Sequence, residues 1–248
     1  MISRDTLSEA VPDNAESVDV VIPVFNEEDI LREQLSAAVP LLPGNFRILV
    51  VENGSTDSTR DILEDLSKKW EMLEVLDLPE PNYGLAMKRG LLHSDSDVVI
   101  TDDLDVMDVD FWIRGLRLLS RKGVGIVQGS KVLAGKNDCR PLFRKMATRA
   151  LTFLLRWLLR YSGTDTHGPK VIWADAIQGI PEECVYELDI FPTELVVRAQ
   201  RSGVGIEEIP IHLKEIRATP LPLAKRIPRA LRDIWRLRKT LLAERKRA

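Results

Sequence analysis

Between residues 18 and 130 the chain alternates two patterns of apolar and polar positions. Short β-branched runs with little polar interruption, at 18–25, 46–52, 73–79, 97–102 and 124–130, read as strands buried on both faces. Between them, 27–42, 57–70, 84–94 and 110–122 place apolar residues at helical spacing. Strands alternating with helices of this length predict right-handed βαβ units. The expected fold class is therefore α/β, with a mostly parallel central sheet flanked by helices. Residues 1–17 show neither pattern and are expected to be a flexible segment. In such sheets ligands bind outside the carboxyl ends of the strands. Here the punctuation at those ends is polar: "NEE", "ENGSTD", "PNYG" and "DDLD".

Beyond residue 130 the pattern changes. Residues 139–163 form one long helical stretch, apolar on one side, with Lys145, Arg149, Arg156 and Arg160 recurring near one face. "GTDTHGPKVI" follows as a polar loop, then a helix over 191–203 and a strand over 204–213. The tail, 218–248, carries Ile227, Leu231, Ile234, Trp235, Leu241 and Leu242 at helical spacing, with Arg and Lys opposite. That is the pattern of a basic amphipathic helix, and it fits an interfacial helix as well as one packed on the protein's own body.

Charge sharpens this division. The whole chain carries −3, yet residues 214–248 hold twelve Lys/Arg against three Asp/Glu. A basic tail on an acidic body suits an anionic membrane surface or a solvated helix face, and the overall charge does not suit nucleic acid. Two cysteines, Cys139 and Cys184, form no disulfide framework or metal-ligand spacing, compatible with a reducing cytoplasm. No secretory signal is visible, and no apolar run reaches the roughly 18–20 residues of a membrane span. The expected location is cytoplasmic, soluble or peripheral at the cytoplasmic face of the membrane.

The stretch "DVVITDDLDVMDVDF" concentrates the chemistry. Asp103 and Asp105, two apart at a strand end, can face one small volume. Hard cations such as Mg²⁺ and Mn²⁺ take carboxylate oxygens together with a substrate's phosphates. Asp102, beside them, leaves the register open by one residue. Asp108 and Asp110 precede an apolar helical pattern and read as its cap and first turn. Pro23, near the end of the first apparent strand, suggests that the strand stops there and the chain turns toward a ligand.

"IPVFNEE", "VVENGSTDST", "NYGLAMKRG" and "DVVITDDLD", in this order and spacing, resemble the family-2 glycosyltransferases, whose fold is the Rossmann-like GT-A fold. The resemblance implies a donor that is a nucleotide-diphosphate sugar. It places Pro23, Phe25, Asn26 and Glu27 around the nucleoside, with Glu52, Asn53 and Ser55 as the second motif. Gly84 and Lys88 then approach the nucleotide and donor sugar, and Asp103 and Asp105 hold Mg²⁺ or Mn²⁺. It divides a glycosyltransferase domain, 18–217, into a nucleotide-sugar half, 18–130, and an acceptor half, 131–217. "SGTDTHGPKVI" and "FPTELVVRAQRSGVGIEEIPIHLKEIR" look like segments of the polyprenyl-phosphate sugar synthases, such as the dolichyl-phosphate mannose synthases. Pro169 stands where an aromatic is usual there. That likeness implies a polyprenyl phosphate acceptor and inverting transfer. Arg144, Lys170 and Arg217 become candidate cationic contacts. Asp165 is the candidate base should the acceptor be a saccharide hydroxyl instead. A nucleotidyltransferase would carry a Gly-rich basic loop where "VFNEED" stands, and a decayed binding protein would lack Asp103 and Asp105.

Overall fold

The computed structural model describes residues 2–135, 142–212 and 223–245, with the side chains of 144 and 223–227 outside that description. Seven strands form one sheet: β1 (Val18–Val24), β2 (Phe46–Asn53), β3 (Leu73–Leu78), β4 (Val98–Thr101), β5 (Ile126–Ser130), β6 (Lys170–Trp173) and β7 (Ile206–Pro210). Their order is β3-β2-β1-β4-β6-β5-β7. Every pairing is parallel except the two made by β6, which runs antiparallel between β4 and β5. The mostly parallel sheet is as expected, but β6 replaces an expected loop. Its "KVIW" is too short to show a period, and a turn-like "GTDTHGP" precedes it. All strands except β6 therefore present their carboxyl ends at one edge.

β1 shows why the apolar runs lack alternation. Val18, Val20, Ile22 and Val24 face one core while Val21 faces the other. The first core is closed by α1 (Arg4–Ser8), α2 (Leu31–Ala38), α3 (Thr59–Lys69) and α5 (Val109–Leu119). The second lies under α4 (Tyr83–His93), α7 (Ile180–Glu183) and α8 (Phe191–Arg201). The segment expected to be flexible instead contains α1, whose Leu7 is wholly buried in the first core. Pro23 also departs from expectation. It lies inside β1, opposite Val51, but the pairing to β4 already ends at Val21–Thr101. Its missing N–H thus costs the β4 side no ladder bond.

A third core joins α6 (Leu142–Leu159) and α9 (Leu223–Arg245) to α8. In α9, Ile234, Leu237 and Leu241 face inward, while Leu231, Trp235 and Leu242 are exposed. The single apolar side expected of the tail is thereby split in two, and α9 packs on the body by one face. Arg198 fastens it there. Buried in α8, it donates to both oxygens of Glu244 at 3.0 and 2.9 Å and to the wholly buried Glu194 at 2.8 Å.

Candidate active site

The carboxyl edge of β1 and β2 is built by two loops that bond to each other. Asn26 takes φ 53°, a left-handed conformation that asparagine tolerates better than most residues. Its N–H donates to Ser55 Oγ at 3.0 Å, and its Oδ1 accepts from Thr56 N–H at 2.8 Å. The Glu27 N–H donates to Thr59 Oγ1 at 2.8 Å. Phe25 stands outside this lacing with 40% of its surface exposed, an aromatic face available for a flat ring.

Glu52 sits at 0% exposure with both oxygens engaged, accepting from Ser55 N–H at 2.6 Å and from Arg60 at 2.8 Å. Burial raises its pKa, but those hydrogen bonds and the Arg60 charge outweigh it and hold the carboxyl below its ordinary value. Here Glu52 fixes the turn that carries Ser55. Asn53, also buried, accepts from the Asn82 N–H at 2.7 Å, and Asn82 in turn caps α4. The second motif therefore positions the third.

Gly84 and Lys88 both meet the loop between α7 and α8. A Cβ on Gly84 would lie 2.1 Å from the Leu188 carbonyl oxygen. Lys88 Nζ donates to the Cys184 carbonyl at 2.9 Å and lies 3.7 Å from Glu187. One helical turn of α4 thus holds residues 184–188 in place.

The acidic strand end resolves into two kinds of carboxylate. Asp102 is buried and accepts from Trp112 Nε1 at 2.7 Å, Asp103 N–H at 2.8 Å and Asp108 N–H at 3.2 Å. Burial, with the Asp103 charge adding to it, pushes its pKa well above the usual carboxylate range despite those bonds. Asp102 is therefore the organiser of the loop. Asp103 and Asp105 are half-buried at its mouth. Asp103 Oδ1 accepts from Tyr83 Oη at 2.8 Å. Burial and the charges of Asp103, Asp102 and Asp105 hold the Tyr83 phenol well above its ordinary value, so it stays a donor. Asp108 caps α5 as expected, accepting from Phe111 N–H at 3.0 Å.

β6 brings the start of its strand to this edge. Lys170 pairs with Thr101, the residue before Asp102. It is wholly buried, and its Nζ donates to the Gly168 carbonyl at 2.9 Å. Burial lowers its pKa to about 8, although Asp165 and Asp103 oppose that shift. Asp165 is buried too, accepting from Lys131 N–H and His167 N–H, each at 3.0 Å. Burial raises its pKa, but the Lys131 charge and the two backbone donors bring it below the ordinary value. Arg217 and the side chain of Arg144 lie outside the described residues.

His212, just past β7, escaped sequence reasoning. Its backbone N–H donates to Asp108 Oδ2 at 2.8 Å, and its Nδ1 lies 3.5 Å from both Asp108 and Asp110. These three side chains offer possible ligand atoms within 4.8 Å of one another, although Asp110 also pairs with Arg114 at 2.6 Å. Only the topology, which sets the end of β7 beside the start of α5, unites them; nothing in their spacing does.

With this geometry in place, comparison with known proteins decides the family. The family model described as "Glycosyl transferase family 2" matches residues 19–167. The chain belongs to glycosyl transferase family 2. The family-2 match runs from β1 through the Asp165–His167 turn. An undecaprenyl-phosphate 4-deoxy-4-formamido-L-arabinose transferase of Yersinia enterocolitica is 32% identical over 144 residues, 56% of this chain and 43% of that protein. The chain thus spans less than half the length of that curated relative. An uncharacterized glycosyltransferase of Mycobacterium bovis is 29% identical over 198 residues, 79% of this chain and 84% of that one. The glucosyl-3-phosphoglycerate synthase of Mycobacterium tuberculosis, solved with UDP, superposes with a TM-score of 0.69 at 20% identity, covering 94% of this chain and 82% of the other. A mannosyltransferase of Pyrobaculum calidifontis, solved with GDP-mannose and Mn²⁺, gives 0.62 at 15% identity, covering 88% and 64%. At those identities the two solved structures show the fold, which is GT-A.

Proposed function

We propose that this family-2 chain transfers a sugar from a nucleoside-diphosphate sugar to a polyprenyl phosphate at the cytoplasmic face of a membrane, with inversion at the anomeric carbon. The observation that carries the acceptor class is the state of Asp165. Both its oxygens accept backbone N–H groups, and its pKa lies below the ordinary carboxylate value. A carboxylate so held is a weak proton acceptor, ill suited to deprotonating a sugar hydroxyl. A phosphate oxygen needs no such base, so positioning suffices. The named activity of the Yersinia relative, and of its counterpart in Pectobacterium carotovorum, points the same way.

Asp103 and Asp105 fit a hard divalent cation. They are oxygen donors, half-buried at a strand mouth beside buried Asp102. When bound, Mg²⁺ or Mn²⁺ supplies charge stabilisation to the departing nucleoside diphosphate. The chain's own residues do the rest. Phe25 gives the base a face, Asn26 and Ser55 shape the loop over the nucleoside, and Tyr83 aims Asp103. Lys170 and the Asp165 turn set the acceptor side beside the donor's anomeric carbon.

A second reading is a soluble hydroxyl acceptor, favoured by the likeness to the mycobacterial synthase solved with phosphoglyceric acid. A screen of UDP- and GDP-sugars with Mn²⁺ separates the two. Release of nucleoside diphosphate should require a prenyl phosphate and should fail with the corresponding prenol. Equal turnover on prenol or on a free saccharide would overturn the phosphate acceptor.

A further inference from the structure

α6 carries apolar residues on two sides. One side, with Leu155 and Leu159, is buried against α8 and α9. The other has no cover among the described residues. Phe143, Met146, Phe153 and Trp157 are 58, 63, 71 and 70% exposed. With Ala150 they recur at alternating steps of three and four, which is one continuous stripe along the helix. Lys145 and Arg149 run along one border of that stripe, and there is no Asp or Glu anywhere in α6. α9, packed beside it, repeats the arrangement with exposed Leu231, Trp235 and Leu242 among arginines. Lys239 lies over the Trp235 ring, 3.5 Å from its centroid. The two acids of α9 are both engaged by arginines, Asp233 with Arg229, Arg232 and Arg236, and Glu244 with Arg198.

We propose that the outward face of α6, extended by the exposed side of α9, seats on an anionic lipid surface. A second copy of this chain would set cations against cations across such a contact. A bilayer interface offers an apolar layer for the aromatic stripe and anionic headgroups for the bordering Arg and Lys at once. The inner side of the same helix reaches the candidate site. Thr152 Oγ1 donates to the Thr164 carbonyl at 2.7 Å, and Arg156 Nε to the Gly163 carbonyl at 3.0 Å, in the loop that leads to Asp165. The lipid-facing stripe and the acceptor turn are thus two sides of one helix, which suits a lipid-borne phosphate. The partner named here rests on the polyprenyl-phosphate reading, while the docking itself is measurable without it.

The test is co-sedimentation of the full chain with vesicles of phosphatidylcholine and phosphatidylglycerol in equal parts, containing no polyprenyl phosphate. Binding should exceed that to pure phosphatidylcholine and fall as salt rises. The double variant Phe153→Glu, Trp157→Glu should bind roughly tenfold more weakly or not at all, with an unchanged circular-dichroism melt. Should that variant not fold, quenching of Trp157 by brominated lipid, read as the difference from Trp157→Phe, replaces it. In parallel, turnover of a short water-soluble prenyl phosphate without vesicles should be the same in wild type and double variant. No turnover in either protein, with binding intact, would break the acceptor reading and leave docking standing. Equal binding to both vesicle types, or by wild type and double variant, would overturn the docking. Concentration-dependent self-association abolished by the double variant would overturn it in favour of a self-interface.

Discussion

The β1–β4 region and the α6–α9 region use apolar residues in opposite ways. In β1, β2 and β4 every apolar side chain is buried, and the polar residues gather where the strands end. In α6 Phe153 and Trp157 point outward, and Leu155 and Leu159 point in. Pattern and chemistry therefore coincide in the first region: the strand that must be buried also delivers Asp103 and Asp105 to the edge. In the second region the apolar pattern serves packing and an uncovered surface together. The two regions meet at the loop 184–188, which Lys88 and Gly84 hold from the donor side and Glu194 from the other, accepting from Val185 and Tyr186 N–H.

The sharpest separation of the regions is kinetic. Asp103→Asn and Asp105→Asn should each lower turnover by roughly 10²–10³-fold or more, while leaving the urea midpoint near wild type. Steady-state nucleoside diphosphate release checks this, and a loss of under tenfold in both would remove the pair from the site. Next comes the join. Arg198→Ala leaves the buried Glu194 carboxylate unpaired and frees Glu244 of α9. A cost of about 3–5 kcal/mol is expected in urea unfolding. A change under 0.5 kcal/mol, on the order of a surface substitution, would mean that α9 is not fastened there.

Gly84→Ala drives a methyl into the carbonyls of Glu187 and Leu188. The expected cost is about 1–3 kcal/mol, with a raised donor KM, since the displaced loop lies over α4. Asp165→Asn probes the acceptor side. With a prenyl phosphate acceptor kcat should drop by less than about tenfold, whereas removal of a general base costs roughly 10²–10⁴-fold. A further effect is in the pH dependence of stability. Lys170 titrates near 8 in the folded chain against 10.5 ordinarily. Between those values the unfolded chain binds the extra proton, so folding stability gains as pH rises across that window. Chemical unfolding at successive pH values should show this increment, and Lys170→Met should lack it.

How much was legible from the residues differs between the same two regions. The alternation of strands and helices through residue 130 was visible because most of the strands are buried on both faces and the loops at the carboxyl ends of β1 to β4 carry Asn, Gly or Asp. The assignment of Asp108 to a helix cap was equally readable. The structural role of Asp102 was not, because it depends on Trp112 folding back from α5 to donate its indole N–H. β6 was hidden by its four-residue length, and with it the reason Lys170 lies beside the acidic loop. The one apolar side expected of α6 is in fact two, because the helix buries Leu155 and Leu159 while leaving Phe153 and Trp157 exposed, a division that helical spacing alone does not show. His212 became a neighbour of Asp108 and Asp110 only through sheet order.

The two acidic groupings at the sheet edge frame the decisive measurement. Calorimetric titration of UDP and GDP into the chain with Mn²⁺ should be made for wild type, Asp105→Asn and His212→Ala. Nucleotide binding is expected in wild type, at least roughly tenfold weaker in Asp105→Asn or without the cation, and unchanged in His212→Ala. Unaltered affinity in Asp105→Asn, with the loss falling on His212→Ala, would contradict the assignment of the diphosphate site to Asp103 and Asp105.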